Sequence, residues 1–594
     1  LTNGTFEYRT GGGKVLRFDL SRRLVAIVDR NGNTTTLTYS GNNLTRITDP
    51  VGRSITFEYT ENRVARAIDP LGRVWHYAYD GNGRLKTVTD PLGGVTSYEY
   101  DQFHRLIAVK DKRNIVIKTI TYDGARVSQQ TFANGSVERY EYVVSGATVT
   151  SASVTDSLGR KRVRRFNARG YVIGAIDELG QTTTVERDVN TNLPMTMAGP
   201  CGCTENARKF DERGNAIELT DRSGKTSKYQ YEPVFNNLTR MTDRLGRVTV
   251  YAYDARGNRV SMTDALGQVT RYEYDEFGQM TKMIDPLGHE TRMEYDQFGN
   301  LTARVDALGN RTRMEYDAVG RLTAIIDPLG RRTAMEYDAM DRVVRSTDAS
   351  GATTKYGYDA NGNQVTMTDA LGRTWTSIYD QKNNLIARLD PLGRVTRMEY
   401  DAEDQMTAMI SPSGRTVRYS YDPRGQRLTM TDGIGGTVRF TYDYRRNLTA
   451  LTDQRGNTTT FTYDELSRPV SRRDPVGNST FMEYDLEGNL VKTIDRLGRT
   501  TLVEYDDLNR RREVRYADAT VTYRYDAAGR MTRIDDTQGG PIEWTYDNAN
   551  RRLSEKTPVG LVGYKYNAAS QRVEMTAADR SPVTYAYDTA GRLS

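Results

Sequence analysis

A tyrosine recurs in this chain at a fixed interval, and that interval constrains the fold more than any other feature. Tyr253, Tyr274, Tyr295, Tyr316, Tyr337, Tyr358, Tyr379, Tyr400, Tyr421, Tyr442, Tyr463, Tyr484 and Tyr505 are spaced by 21 residues, and each is followed by aspartate. A glycine series keeps step with them, usually within Asp-Pro-Leu-Gly or Asp-Ala-Leu-Gly, as at Asp285 to Gly288, Asp306 to Gly309, Asp327 to Gly330 and Asp390 to Gly393. Self-similarity at a short fixed period marks a repeat architecture. Two turn signals per period imply two strands per period, so the unit is a β-hairpin.

The turns are chemically alike. In Asp327-Pro328-Leu329-Gly330 the aspartate caps its own turn, proline presets φ at the second position and glycine takes the last, as a type I turn prefers. Asp317-Ala318-Val319-Gly320, after a tyrosine, offers the same ends. Both arms of the intervening hairpin, Leu301 to Val305 and Arg311 to Tyr316, alternate with period two, as half-buried strands do. If one turn is plain and the other carries a bulge, Leu301, Ala303, Val305, Thr312, Met314 and Tyr316 share a face. Thr302, Arg304, Arg311, Arg313 and Glu315 then take the other. An odd period requires an odd-sized connection at one turn, and the expectation places it, as a G1-type bulge, at the Tyr-Asp end.

Side-by-side hairpins put successive tyrosines about 10 Å apart, two strand spacings, in a ladder whose rings substitute for a conventional core. The expected fold is all-β: tandem antiparallel hairpins in a wide spiralling sheet or hollow shell, because open sheets beyond about 10 strands curl. A parallel β-helix with 21 residues per coil is the competing fold. The whole chain reads as one array cut from something longer, with no initiator Met and a last motif, Ala590-Gly591-Arg592-Leu593-Ser594, that stops partway. Repeats loosen over 123–235, where Phe166, Phe210 and Arg187 hold tyrosine positions. A loop-like insertion is expected near 188–207, around Cys201-Gly202-Cys203, as a longer loop, a kink in the spiral or a partner contact.

Composition excludes several function classes. The 83 Lys and Arg nearly cancel the 77 Asp and Glu and are interspersed, so the net charge of +6 gives no reason to expect nucleic acid as a partner. No apolar stretch is long enough to span a bilayer, and the N-terminus carries no signal-peptide pattern. With only 2 cysteines among 594 residues, disulfides cannot hold the array together.

Tyr-Asp, then x-x-Gly-Arg, a strand, Asp-Pro-Leu-Gly-Arg and a second strand ending in Glu-Tyr-Asp resembles the YD repeat of the Rhs family. The run from Arg321 to Asp338 shows it well, and the likeness covers nearly the whole chain. The family includes bacterial Rhs polymorphic toxins, C subunits of insecticidal toxin complexes and, more distantly, teneurins. The resemblance implies a non-catalytic, secreted or cell-surface shell, or cocoon, that encapsulates a C-terminal toxin cargo and meets secretion or delivery components. The family's core segment with toxin-releasing aspartates has no counterpart among these residues, so no release chemistry is carried over. The alternative is a teneurin-like adhesion module with a glycan or surface partner.

No catalytic, cofactor or metal site is expected. The turn aspartates line the rims like a file of carboxylates that invites calcium, but each already caps a turn. Cys201 and Cys203 lack the further ligands of a zinc site. His76, His104 and His289 are scattered, with no nucleophile at a telling spacing. Trp75, Trp375 and Trp544 lie in strands, where packing is the default and one exposed ring could hold a glycan.

Overall fold

The computed structural model describes residues 6–578 and 580–594. They form 56 strands in one sheet, each paired antiparallel with its sequence neighbours, and the described residues contain no helix. This is the expected hairpin array, and the antiparallel neighbours rule out a β-helix. Among the described residues no helix is long and apolar enough to cross a membrane.

The turns differ from expectation in one respect. The Asp306 N–H donates to Asn310 O at 3.0 Å and the Gly309 N–H donates to Asp306 O at 2.9 Å. The Tyr-end turn closes in the same way, from Asp296 N–H to Asn300 O and from Gly299 N–H to Asp296 O. Both turns are therefore a type I turn completed by a left-handed glycine, φ +84° at Gly309 and +78° at Gly299, which a side chain would strain. Neither turn is plain. The strand after each Tyr-end turn carries a further register shift, as between Glu315 and Tyr316.

That detail corrects the expected faces. Three residues separate the paired Asp306 and Asn310, an odd loop, so pairs keep the same parity: Val305 faces Arg311 and Ala303 faces Arg313. Paired residues share a face of the sheet. Ala303 and Val305 consequently lie with Arg311, Arg313 and Glu315, whereas Arg304 joins Thr312, Met314 and Tyr316. In the first arm Leu301 keeps its expected place with the tyrosines, because its partner across the bulge is Tyr295.

One face is thus rich in tyrosine, methionine and threonine. The other sets small residues beneath long charged ones: Ala303 pairs with Glu294 and Arg313. Ala303 and Ala324 are completely buried, with stems of arginine and glutamate over them. Exposed ion pairs such as Arg332–Glu315, 2.7 Å, tie adjacent hairpins on this face. No large side chain among the described residues is fully buried, so the array has no thick core.

Pairing also shows why the sheet winds. Ala303 pairs with Arg313 and Arg313 with Ile326, a step of 23 residues against a period of 21. Each hairpin therefore slips two residues along its strands, a shear that tilts the strands by roughly 35° and curls the sheet. The ribbon meets itself after 227 to 268 residues, as Asn258 contacts Asn31 and Arg73 contacts Asp341. That is close to twelve hairpins, or about 24 strands per turn, which sets a backbone diameter of roughly 45 Å. Side chains fill a barrel of about eight strands and leave larger ones open, so a turn this wide encloses a space.

The segment near 188–207 is not a loop insertion. Pro194–Ala198 and Thr204–Phe210 are strands of the sheet, joined by a five-residue turn from Gly199 to Cys203 and paired with a register shift between Met197 and Ala198. Phe166, Arg187 and Phe210 sit at the same register shift that the tyrosines occupy elsewhere.

Candidate functional site: locked turns and the seam between spiral turns

In many turns both aspartate oxygens are engaged, whereas Asp264, Asp348, Asp401 and Asp422 engage Oδ1 alone. Asp306 Oδ1 accepts the N–H groups of Leu308 and Asn310, both at 2.9 Å, and Oδ2 accepts the Asn310 side-chain amide at 2.9 Å. Asp285 does the same with Leu287, His289 and the His289 ring. Asp327 and Asp390 take arginine in that place, Arg331 Nε at 2.5 Å and Arg394 Nε at 2.6 Å. Glycines Gly288, Gly309, Gly330 and Gly393 close these turns with positive φ. These aspartates thus act as turn caps, the local task that their position after the strand predicts.

The tyrosines have a second attachment. Tyr337 OH donates to Leu322 O at 2.7 Å, fifteen residues back on the preceding strand, and every member of the 253–505 series except Tyr316 makes the corresponding bond. Burial pushes several of these phenols above their usual range, as at Tyr253, Tyr274 and Tyr295. Arg187, standing where a tyrosine would, donates its Nε to Val172 O at 2.7 Å over the same fifteen residues.

An arginine then brackets neighbouring hairpins. Arg321 Nε donates to Asp317 Oδ2 at 2.6 Å, its Nη1 donates to Asp338 O in the next Tyr-end turn, and its guanidinium lies 4.9 Å from the Tyr337 ring centre. Arg84, Arg342, Arg468, Arg530 and Arg551 repeat this arrangement. Burial pushes the Asp317 carboxyl up, but the Arg321 backbone and side-chain bonds outweigh it and hold the group below its usual range. Sequence reasoning missed the bracket, although the arginine after the turn glycine was visible.

The spiral turns are joined by a seam with one polarity. Turns of the Asp-Pro-Leu-Gly type on one spiral turn face Tyr-Asp turns on the next. Arg73 Nη1 donates to Ala339 O at 3.2 Å and to Asp341 Oδ1 at 2.6 Å. Arg113 reaches Asp380 O and Gln381 O, both at 3.0 Å, and Arg244 clamps Glu487. Asn33 and Asn134 donate to Phe277 O and Ala402 O. Many acceptors are backbone carbonyls, and donors also come from the Tyr-Asp rim, as Arg424 pairs with Asp177 and Asn361 donates to Asp111 Oδ2.

A pocket of about 660 Å³ opens at this seam on the tyrosine face, walled by Ile47, Ile55, Phe57, Trp75 and Tyr77, with Arg73 at its edge. Trp375 pairs with Met367 in the sheet, and Trp544 Nε1 donates to Glu555 at 2.9 Å. All three tryptophans are half-buried. His104 occupies a turn-glycine position with φ +63°, and His76 lies in a strand opposite Arg66, far from His289 in sequence and in a different hairpin.

The same repeat is recognised by comparison with known families. The RHS Repeat model matches in overlapping segments spanning 23–114, 234–332, 484–521 and 525–562, and the Teneurin YD-shell model matches 331–482. The chain belongs to the Rhs/YD-repeat family. Solved structures share the fold of this Rhs/YD array: a crystal structure of TcdB2-TccC3 aligns over 99% of this chain and 39% of that one, with 14% identity and a TM-score of 0.57. A structure of TcdB2-TccC3-Cdc42 aligns over 99% and 41%, with 14% identity and a TM-score of 0.56. The chain thus spans about two fifths of the length of these structural relatives. A comparison with curated proteins finds no match. Family and fold together support a structural shell role for the Rhs/YD array.

Proposed function

We propose that this chain is a wall segment of a non-catalytic shell that encloses a C-terminal polypeptide cargo, the toxin or effector of a secreted bacterial Rhs-type protein. The seam carries this reading. Hydrogen bonds and ion pairs between successive spiral turns make the wall continuous, and a wall of about 24 strands per turn surrounds more volume than its own side chains fill. Delivery components would meet the outside of such a wall, and its placement would be secreted or at the cell surface. For the glycan-binding alternative, the three tryptophans are half-buried, whereas the Phe103 and Phe277 rings at the turns are exposed.

Protease protection tests the proposal. The natural polypeptide containing this segment is digested with the wall intact and again after denaturant opens it. Enclosure predicts a segment outside 1–594 that survives only while the wall is closed. Equal cleavage of that segment in both states would overturn the reading.

A further inference from the structure

The turn from Gly199 to Cys203 lies on the seam, and it departs from the other turns in its chemistry. Glycine replaces the capping aspartate at its first position, so no carboxylate receives the turn N–H groups. Cys201 Sγ instead accepts the Cys203 N–H at 3.3 Å, and Cys201 and Cys203 form a disulfide across two residues, with Cα atoms 5.2 Å apart. Bridged sulfurs are not free to ligate a metal, although Glu205 lies beside them.

A bridge this short does little structural stapling. It closes almost no chain and ties no two strands together, and the entropic effect of a disulfide is smallest for the smallest loops. The neighbouring seam turns at Asp177 and Asp221 close with the same backbone bonds and no disulfide.

The surroundings instead suit exchange. Cys201 is exposed, whereas Cys203 is half-buried and faces the opposite rim. There Arg445 Nη2 lies 3.6 Å from Cys203 Sγ, and Arg445 Nε is buried without a partner. The Glu205 carboxylate, within 4.8 Å of both sulfurs, is paired with Arg222, which also reaches Glu465 O across the seam, so among the described residues Arg445 is the cation that faces Cys203 without an acidic partner of its own. A cationic neighbour stabilises a thiolate, and a stabilised thiolate leaves readily.

We propose that Cys201–Cys203 is a redox site of the seam, reduced by small thiols of the glutathione class. A thiolate attacks the accessible Cys201 Sγ, the S–S bond breaks, and the electron pair departs on Cys203 Sγ, which becomes a thiolate facing Arg445. A second thiolate attacks the reagent sulfur of the mixed disulfide and releases Cys201 as a thiolate. In sum two thiols become one external disulfide, two electrons enter the cysteine pair, and the two thiol protons pass to Cys201 and Cys203 or to solvent. Reduction replaces a neutral contact with a thiolate–guanidinium pair, so this point of the seam tightens in reducing surroundings.

The test combines alkylation and hydrogen exchange on the intact chain. After reduction by millimolar glutathione, the pH profile of iodoacetamide labelling at Cys203 should have its midpoint about one unit or more below the ordinary thiol value of about 8.5. Arg445→Gln should raise that midpoint by about one unit, and Arg445→Lys should restore most of the shift. Cys201→Ser, which leaves Cys203 permanently reduced, should slow exchange around 443–447 relative to the oxidised chain. A disulfide that resists millimolar glutathione, or a Cys203 midpoint indifferent to Arg445, would overturn the proposal. If Arg445→Gln fails to fold, the Cys201→Ser labelling profile alone decides.

Discussion

The rim around Asp69 and the rim around Asp390 have nearly the same sequence and the same local geometry, yet one is covered and the other is bare. In both, the arginine four residues on donates its N–H to aspartate Oδ1 at 3.0 Å and its Nε to Oδ2 at 2.6 Å. Arg73 and Arg247, on the covered rim, are 14% and 11% exposed in their side chains. Arg394 and Arg499, on the uncovered rim, are 64% and 68% exposed. Turn leucines follow suit, from 38% at Leu71 to 51% at Leu92 on the covered rim, against 69% at Leu497 and 78% at Leu392.

The difference teaches that each hairpin is locked by its own residues, and that winding adds a second set of contacts to arginines already in place. Asp69 fixes the Arg73 guanidinium by Nε, which leaves Nη1 free to reach the next spiral turn at little further entropic cost. Tightness of the turns supports the same view. Two-residue hairpin turns at Ser40–Asn43, Thr60–Arg63, Asp123–Arg126 and Ser145–Thr148 all lie on the first spiral turn, on the rim that no later turn covers.

The sharpest way to break this comparison is to delete one arginine on each rim. Arg73→Ala removes a charged pair to Asp341 and a carbonyl bond, and should cost about 2 kcal/mol locally, whereas Arg394→Ala should cost about 0.5 kcal/mol or less. Hydrogen exchange at 338–342 and at 385–395 reads the two effects, since repeat arrays open locally. Equal losses at both sites would mean that the seam contributes nothing.

Removal of a phenolic hydroxyl should not discriminate between rims. Tyr79→Phe, beside a bare Tyr-Asp turn of the first spiral turn, and Tyr400→Phe, beside a Tyr-Asp turn covered through Asn134 and Ala402 O, each delete one bond to a backbone carbonyl, to Val64 and Leu385. Each should cost about 1 kcal/mol, measured as reduced exchange protection in the hairpin concerned. A marked difference would show that the local lock depends on winding.

Apolar rim residues give a smaller contrast. Leu245→Ser should lose about 0.5–1 kcal/mol of protection at the seam, in proportion to the area it buries, and Leu392→Ser should be neutral within measurement.

Acid gives the mildest effect, because the carboxylate concerned is half exposed. The Arg73 side-chain bond is the main cause that holds Asp341 below its ordinary value of 3.8, with burial opposing and Arg321 assisting. A depressed carboxylate contributes stability that is complete above its unfolded value and is lost as pH falls through the folded value. Seam protection at 338–342 should therefore hold at pH 5 and decline only below about 3.8, and Arg73→Ala should weaken that dependence without removing it, because Arg321 still holds Asp341 below its ordinary value.

Much of the local fold was legible in the sequence, because the hairpin, its period and its turns are written into every unit by Tyr-Asp, Asp-Pro-Leu-Gly and alternation. The faces were misread for a single reason: Gly309 turns left-handed at the Asp-Ala-Leu-Gly end as well, and the resulting odd loop moves Ala303 and Val305 beneath Arg311 and Arg313. Arg187 and Phe166 kept the tyrosine position without the tyrosine because register, not residue type, defines it. The seam could not be read at all. Arg73 and Asp341 are 268 residues apart, and nothing within one repeat encodes how many repeats make a turn. The Cys201–Cys203 bridge was hidden likewise, since a turn between paired strands lies where the composition reads as a loop.

The central claim, a ribbon that meets itself about twelve hairpins on, is tested most directly by one distance. Spin labels at Leu71→Cys and Met340→Cys, in a chain also carrying Cys201→Ser and Cys203→Ser, flank the Arg73–Asp341 contact. Dipolar spectroscopy should give a single short distance, under about 25 Å, because these turns touch across the seam. An unwound ribbon would separate the same labels by about 25 strand spacings, on the order of 120 Å, and leave no dipolar signal. That absence of signal would contradict the account.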